Sequence, residues 1–464
     1  MSFFWDLDHP KDNTAFIYKN TKISYGELQQ EIDFIKRIDQ TEDKKKLIFL
    51  LCENNTIESI CAYLAALQMR HVVCLLSQNL VKNNLTNLIR LYQPEWIISS
   101  TQLTLENSYI EKIKRGMFHY LLEGIDIYPL HKDLAILLNT SGSTGSCKMV
   151  KLSYKNLQDN ASSIVKYLQL SNEERPVLTL PMFYSYGLSI INSHLLSGAS
   201  ILISSKKIIS KCFWEECKFY SITSFSGVPY TYEILSKIKF QNINIKSLRT
   251  MTQAGGRVNR FTRDFINTLI VEKNINFYYM YGQTEATARI SYIPPEKALL
   301  KGDSIGYAIP DGHLELDENN QLIYKGPNVM LGYCKNRMDL KKGDEKFGIL
   351  ETGDLGEIDD EGYFYIRGRI KRIAKLNGTR INLDEIETLI SDVFGATCYS
   401  ISNDEKIFLI MLDDHLNKKI MELLTERYGF YKSWIVFFNI NENTIPRLIN
   451  GKVNYTKLKE LFNF

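Results

Sequence analysis

The sequence has 464 residues, 44% of them hydrophobic and 23% charged. That is too long for one ordinary core and too near globular averages for a disordered, collagen-like or coiled-coil chain. Lys and Arg number 56 against 53 Asp and Glu, a net charge of +3 without long single-sign blocks, so the charge pattern excludes the broad basic footprint of a nucleic-acid-binding protein.

The first residues, Met1-Ser2-Phe3-Phe4-Trp5-Asp6, carry an acid where a secretory leader has basic residues and are followed by no apolar run, so no signal is expected. Residues 47–52 (LIFLLC), an amphipathic run through Tyr63 and Leu67, and residues 71–75 read as strand, helix, strand. Arg70 and His71 interrupt the apolar stretch over 60–76, so no membrane span is expected there. Strands are predicted again over 135–138, 177–180, 199–203, 222–226 and 276–281, with helical stretches between, which is the signature of α/β architecture with parallel sheets. In such sheets ligands bind beyond the strand C-termini.

After about Gly302 the texture changes to short alternating strands, 305–307, 313–316, 321–324 and 362–366, separated by Gly, Asp and Asn turns, which predicts a small β subdomain. Beyond Arg369 the pattern is a helix over 382–393, strands over 397–402 and 407–411, a helix over 415–428, a strand over 433–439 and a helix over 455–461. The expected organisation is a large N-terminal body over 1–369, made of parallel-sheet α/β subdomains plus the small β subdomain, and a separate small α+β lid over 370–464. The eight cysteines form no CxxC pair, so they read as reduced thiols in a cytoplasmic protein.

Chemistry concentrates in a few segments. Thr140-Ser141-Gly142-Ser143-Thr144-Gly145-Ser146-Cys147-Lys148 follows a predicted strand and can offer backbone and hydroxyl donors to phosphate oxygens, though it is not a Walker A loop. In Tyr281-Gly282-Gln283-Thr284-Glu285 an aromatic face can stack on a base, Thr284 can hydrogen-bond a phosphate or carboxylate oxygen, and Glu285 can ligate Mg²⁺. Asp354, an acceptor when ionised, suits a pair of hydroxyls, with Arg369 adding charged donors. Lys452, after Asn450-Gly451, can bring a point cation into a cleft.

These segments together resemble the adenylate-forming superfamily of acyl-CoA synthetases, carrier-loading adenylation domains and firefly-type luciferases. The loop over 140–148 is similar to its phosphate-binding motif. Leu180-Pro181-Met182-Phe183-Tyr184-Ser185-Tyr186-Gly187 resembles the motif lining the acid pocket, and Ala254-Gly255-Gly256 the glycine pair beside adenine. Residues 281–285 resemble the aromatic-Gly-x-Thr-Glu motif, Glu351-Thr352-Gly353-Asp354 the ribose-binding motif, Gly368-Arg369 the start of the hinge, and Asn450-Gly451-Lys452 the terminal Gly-Lys. Ser24-Tyr25-Gly26-Glu27-Leu28 resembles an early helix start.

The resemblance implies an AMP-forming carboxylate ligase. ATP with Mg²⁺ activates an organic acid to acyl-adenylate and pyrophosphate, and the acyl group then passes to a thiol of CoA or of a phosphopantetheine on an acyl or peptidyl carrier. It implies catalytic roles for Lys452, Lys375 and Thr284, a hinge at Lys371, a metal-binding Glu285, and an acid pocket of Phe183, Tyr184, Gly187 and Arg289. Arg289 would meet a polar or second anionic group of the acid. Tyr186, Phe225, Tyr230 and Tyr279 are further candidates for an aromatic lining.

Three positions depart from the family pattern: Cys147 stands for Pro, Met149 for Gly, and Tyr184 for the His of many fatty and aryl acid activators. The absence of Asp after Phe183 argues against an α-amino acid. The alternative reading is a degenerate nucleotide-binding interaction protein that keeps the fold without turnover.

Overall fold

The computed structural model describes residues 2–38, 44–53, 55–80, 82–105, 109–114, 116–122, 128–139, 148–376, 379–403, 405–448 and 453–462. Two large sheets form the body. One runs, edge to edge, through Gly332–Cys334, Met149–Ser153, Leu134–Asn139, Val72–Ser77, Leu47–Cys52, Trp96–Ser99, Met117–Leu122 and Tyr109–Lys114. The other runs through Tyr307–Ala308, Ser291–Ile293, Asn276–Tyr281, Thr250–Gln253, Ser224–Gly227, Pro176–Leu178, Ile201–Ile203, Thr14–Tyr18 and Thr21–Ser24.

The continuous apolar runs follow from burial on both faces. In Leu47–Cys52, Ile48, Leu50 and Cys52 join the largest core, while Leu47, Phe49 and Leu51 join a second core with Leu85 and Leu88 on the other face. The largest core reaches from one sheet to the other through the helices Ile57–Gln68, Tyr154–Leu168 and Ser185–Leu196. Helix Ile57–Gln68 is buried throughout 59–67, as its nearly all-round apolar sequence requires. A third core lies on the far face of the longer sheet, where Phe225, Met251 and Phe277 meet Trp214, Leu235 and Ile266.

The sheets are parallel at their centres, as expected of the α/β body, and antiparallel at their edges. Met149–Ser153 returns antiparallel to Leu134–Asn139 across the glycine-rich loop, and Ser291–Ile293 returns on Asn276–Tyr281. Short connections cannot make the crossover that parallel pairing needs, so each return is antiparallel. Strand ends also move: Ser224–Gly227 and Ile201–Ile203 start later than predicted, whereas Asn276–Tyr281 agrees. The helix Tyr25–Lys36 opens on the predicted residues, with the Ser24 hydroxyl accepting from the Glu27 amide at 3.1 Å and the Glu27 carboxylate accepting from the Ser24 amide at 2.8 Å.

The small β region is a four-stranded antiparallel sheet, His313–Leu316, Gln321–Lys325, Ile349–Ile358 and Phe364–Arg369. After it come the hairpin Ile373–Leu376 and Thr379–Asn382, the helices Leu383–Phe394 and Asn417–Tyr428, and a sheet of Cys398–Ser402, Ile407–Met411 and Ile435–Asn439. Their apolar cluster, from Ala374 to Ile435, contains no residue of the preceding chain. No described helix is long and apolar enough to cross a membrane. Cys52, Cys61, Cys74, Cys212, Cys217, Cys334 and Cys398 are free thiols, and Cys147 lies outside the described residues.

Candidate active site

The strand Asn276–Tyr281 delivers the central segment. After it the chain folds back on itself, with the Gln283 carbonyl accepting from the amides of Ala286 and Ala288 at 3.0 and 3.2 Å. A Cβ on Gly282 would stand 1.7 Å from the Ala288 carbonyl oxygen, so the close approach requires glycine there. Thr287 and Ala288 have φ of 59° and 129°, the kind of backbone strain that a surrounding structure must hold in place.

Tyr281 donates its hydroxyl to Asp354 Oδ2 at 2.5 Å, and Gln283 Nε2 reaches the same oxygen at 2.9 Å and the Thr352 carbonyl at 2.9 Å. Arg369 Nε donates to Asp354 Oδ1 at 3.0 Å, because the two residues are cross-strand partners in the small sheet. The carboxylate is 1% exposed. Burial, then the Asp354 charge, pushes the Tyr281 phenol well above its usual range, so it stays a proton donor. The nucleotide motifs predicted at 281–285, 351–354 and 368–369 thus converge on one buried acid.

Beside this network, Tyr333 donates to Glu285 Oε1 at 2.9 Å, and Lys148 Nζ lies 3.3 Å from the centroid of the Tyr333 ring. Burial, then the nearby Lys371 charge, lowers the Lys148 pKa, against the pull of Glu285. Met149 is buried with its sulfur 3.4 Å from that of Cys74, so this departure from the family pattern serves the core.

The predicted acid-pocket motif enters the helix Ser185–Leu196. The Ser185 hydroxyl lies 3.4 Å from Thr284 Oγ1, joining this motif to the central one. Phe183 and Tyr184 are half-buried at the edge of the core. The hydroxyl of Tyr184 is 3.0 Å from where a Cβ of Gly255 would be, and Gly255 has φ of 94°, so glycine is needed there twice over. Gly256 accepts from Gln253 Nε2 at 2.9 Å. Gly187 packs against the backbone carbonyls of Leu180 and Pro181. Tyr186 bonds Thr252 Oγ1 at 2.8 Å, and the guanidinium of Arg289 lies over its ring at 4.1 Å.

Phe225 and Tyr279 correct the predicted lining, since both belong to the core on the opposite face of the sheet. Register explains it: Phe225 pairs with Met251 and Met251 with Phe277, all on that face, while Ser226 pairs with Thr252 on the other. Tyr230 is 39% exposed, with Arg447 5.4 Å from its ring.

Lys371 is exposed in the short turn Ile370–Arg372 that follows Arg369. On one side of it Arg369 holds Asp354. On the other Arg372 is fixed to Asp384 at 2.8 Å, Glu387 at 2.5 Å and the Ser400 carbonyl at 2.7 Å. Lys375 pairs through its backbone with Arg380, and its side chain lies outside what is described. So do Thr140, Ser141, Gly142, Ser143, Thr144, Gly145, Cys147, Gly378 and Lys452. The flanks of Lys452 are described: Arg447 and Val453 form a β-bridge, and the Asn454 amide donates to the Pro446 carbonyl at 2.7 Å.

Sequence reasoning missed Gln283 as a donor to Asp354, and missed Tyr333, which stands 48 positions from Glu285 without a local motif to mark it. Arg257 escaped as well, although its 2.9 Å bond to Thr388 ties the body to the helix Leu383–Phe394.

This fold and this convergence of motifs define an adenylate-forming ligase. The AMP-binding enzyme family model matches residues 3–334, and the chain belongs to that family. A probable 4-coumarate–CoA ligase 2 of Dictyostelium discoideum is 27% identical over 446 residues, covering 88% of this chain and 79% of that protein. A 2-succinylbenzoate–CoA ligase of Listeria monocytogenes serotype 4b is 23% identical over 474 residues, 97% of each. Among solved structures, o-succinylbenzoate CoA synthetase (MenE) of Bacillus subtilis with its acyl-adenylate intermediate superposes with a TM-score of 0.76 at 20% identity, over 99% of this chain and 98% of that one. ATP-bound MatB of Rhodopseudomonas palustris superposes with a TM-score of 0.78 at 21% identity, over 99% and 98%. The structural likenesses establish the fold, and the curated relatives support a working ligase over a degenerate binding protein.

Proposed function

We propose that this enzyme uses ATP to adenylate a small carboxylic acid and then transfers the acyl group to the thiol of CoA, with residues 1–369 binding ATP and acid and residues 370–464 acting as a mobile lid. The observation that carries this reading is the meeting of Tyr281, Gln283 and Arg369 on the buried carboxylate of Asp354, next to Thr284 and Glu285. Two donors on one oxygen and one on the other leave lone pairs for hydroxyls of a ribose. CoA is the proposed acceptor because the curated relatives are CoA ligases. A phosphopantetheinylated carrier offers the same thiol and belongs in the assay.

Glu285 suits Mg²⁺ as a single hard oxygen ligand. Mg²⁺ keeps phosphate and water oxygens around one or two carboxylates, so a single acid suffices on the protein side. Bound there, Mg²⁺ would neutralise phosphate charge. The chain supplies the rest. Lys148 and the hydroxyls and amides of 140–145 bind phosphate, and Gly255 and Gly256 leave room for the base against Tyr281 and Gly282. Thr284 orients the carboxylate, and Phe183, Tyr184, Gly187 and Arg289 enclose the acid.

Attack of one anion on another is held back by repulsion, so an ammonium placed at the α-phosphate is worth several kcal/mol. Lys452 fills that role. Arg447 over Tyr230 supports it, because the flank of Lys452 then touches the body. After adenylation the lid turns about Lys371 and presents Lys375 for thioester formation. Release of pyrophosphate on a panel of acids with ATP and Mg²⁺, followed by thioester assays with CoA and with a loaded carrier, tests the reading. Nucleotide binding without acid-dependent pyrophosphate release would refute it.

A further inference from the structure

Among the described residues three cationic side chains are buried, Lys151, Arg289 and Arg337. Lys151 is paired with Glu345 at 2.8 Å and also donates to the Lys342 carbonyl. Arg337 is paired with Glu95 and also donates to backbone carbonyls. Arg289 has no carboxylate partner among the described residues, and its Nε, shut off from solvent, has no hydrogen-bond acceptor. Burying a charge is costly unless an opposite charge meets it. The fold has met that requirement at two sites and left it open at the third.

What surrounds Arg289 is aromatic. Its guanidinium carbon is 4.1 Å from the Tyr186 ring centroid, its side chain hydrogen-bonds the Tyr167 phenol, and its charge acts on Tyr184 as well. Tyrosine faces offset part of the desolvation of a cation but supply no anion. The backbone at this point is pinned, because the Arg289 carbonyl accepts from Asn328 Nδ2 at 2.8 Å, and the strained Ala288 precedes it. The side chain itself is held by the Tyr186 ring and the Tyr167 phenol. It stands beside the acid-pocket motif, since Tyr184 and Tyr186 flank Ser185, and Ser185 lies against Thr284.

We propose that Arg289 is the receptor for a second anionic group on the acid, so that the substrate class is a dicarboxylate activated at the carboxylate nearer Thr284 and held by the other. This deepens the ligase reading and rests on it. A guanidinium presents paired N–H donors that match a carboxylate in two hydrogen bonds, a geometry that a lysine would not reproduce. A buried site built for such a group rejects the analogue that lacks it, because the cation is then left without an anion.

The test is pyrophosphate release with ATP and Mg²⁺ on butanedioate, pentanedioate, hexanedioate and benzene-1,2-dicarboxylate, each beside its monoamide, with 4-coumarate and indoleacetate as monoanionic acids. In the wild type the preferred dicarboxylate should exceed its monoamide about 100-fold in kcat/KM. Arg289→Met should bring that ratio to within a few-fold of one, and Arg289→Lys should restore it in part. Preference for the monoamides or the monoanionic acids in the wild type would overturn the proposal, and so would a ratio unchanged in Arg289→Met. Should Arg289→Met fail to fold, the wild-type ratio and Arg289→Lys decide. Absence of pyrophosphate release with every acid would instead count against the ligase reading itself.

Discussion

Tyr281 and Asp354 stand 73 positions apart and are joined by a 2.5 Å hydrogen bond in which the phenol is the donor. This contact locks the end of a central strand to the small antiparallel sheet and fixes the orientation of the carboxylate. Tyr281→Phe removes one donor and leaves Gln283 and Arg369 in place. The lost bond to a charged acceptor is worth about 1.5 to 3 kcal/mol, so the KM for ATP should rise about tenfold or more, measured in acid-dependent pyrophosphate release. An unchanged KM would mean that the Asp354 orientation does not depend on this contact.

Lys452→Ala should reduce acid-dependent ATP/pyrophosphate exchange by about 100-fold or more, since a placed ammonium at the reacting phosphate is worth several kcal/mol. The melting temperature should not move, since the lost group is a charge assigned to the reaction and not an apolar side chain of the core. Undiminished exchange would remove Lys452 from the first step.

Lys371→Pro separates the two half-reactions. Arg369 and Arg372 anchor opposite sides of this position, so fixing the backbone between them should block rotation and leave the first geometry intact. Exchange should persist while thioester formation stops. Equal loss of both steps would argue that the turn does not act as a hinge.

Tyr333→Phe leaves the ring that Lys148 covers and removes the hydrogen bond that orients Glu285. The half-saturating Mg²⁺ concentration should rise about fivefold, from a bond worth about 1 kcal/mol, with the ATP dependence at saturating Mg²⁺ little changed. A Mg²⁺ titration curve identical to that of the wild type would exclude Tyr333 as the residue that positions Glu285.

His194 predicts a pH dependence of stability. Its Nδ1 is bonded to the Ile190 carbonyl at 2.8 Å, its buried Nε2 has no partner, and burial pushes its pKa from 6.5 down to about 4. Above pH 6.5 neither state binds the proton. Between 6.5 and 4 the unfolded chain binds it and the folded chain does not, so stability falls with falling pH by at most about 3 kcal/mol. Urea midpoints measured from pH 7.5 to 4.5 should show this slope, and His194→Asn should flatten it. Parallel slopes in both proteins would assign the acid sensitivity elsewhere.

Much of this was legible in the residues themselves. Runs such as Leu47–Cys52 specify buried strands because every side chain is apolar, and Ser24 with Glu27 specifies a helix start because the capping bonds are local. The order of the short motifs from Thr140 to Lys452 carried the reaction class, since each motif is a stretch of adjacent residues whose chemistry does not depend on knowing the fold.

What the tertiary structure alone decided is which side chains meet. Phe225 and Tyr279 read as pocket residues until strand register put them on the outer face with Met251, while Thr252 turned toward Tyr186. Arg369 meets Asp354 as its cross-strand partner within the small sheet, whereas Tyr281 and Gln283 reach it only because the end of a strand of the large sheet abuts that sheet. Whether a buried cation is neutralised is likewise a property of packing: Lys151 meets Glu345 and Arg337 meets Glu95 across long stretches of chain, whereas Arg289 meets tyrosine rings. Sequence determines local conformation and the inventory of charges, because these depend on neighbouring residues. The pairing of those charges depends on distances between strands far apart in the chain, and only the folded chain sets them.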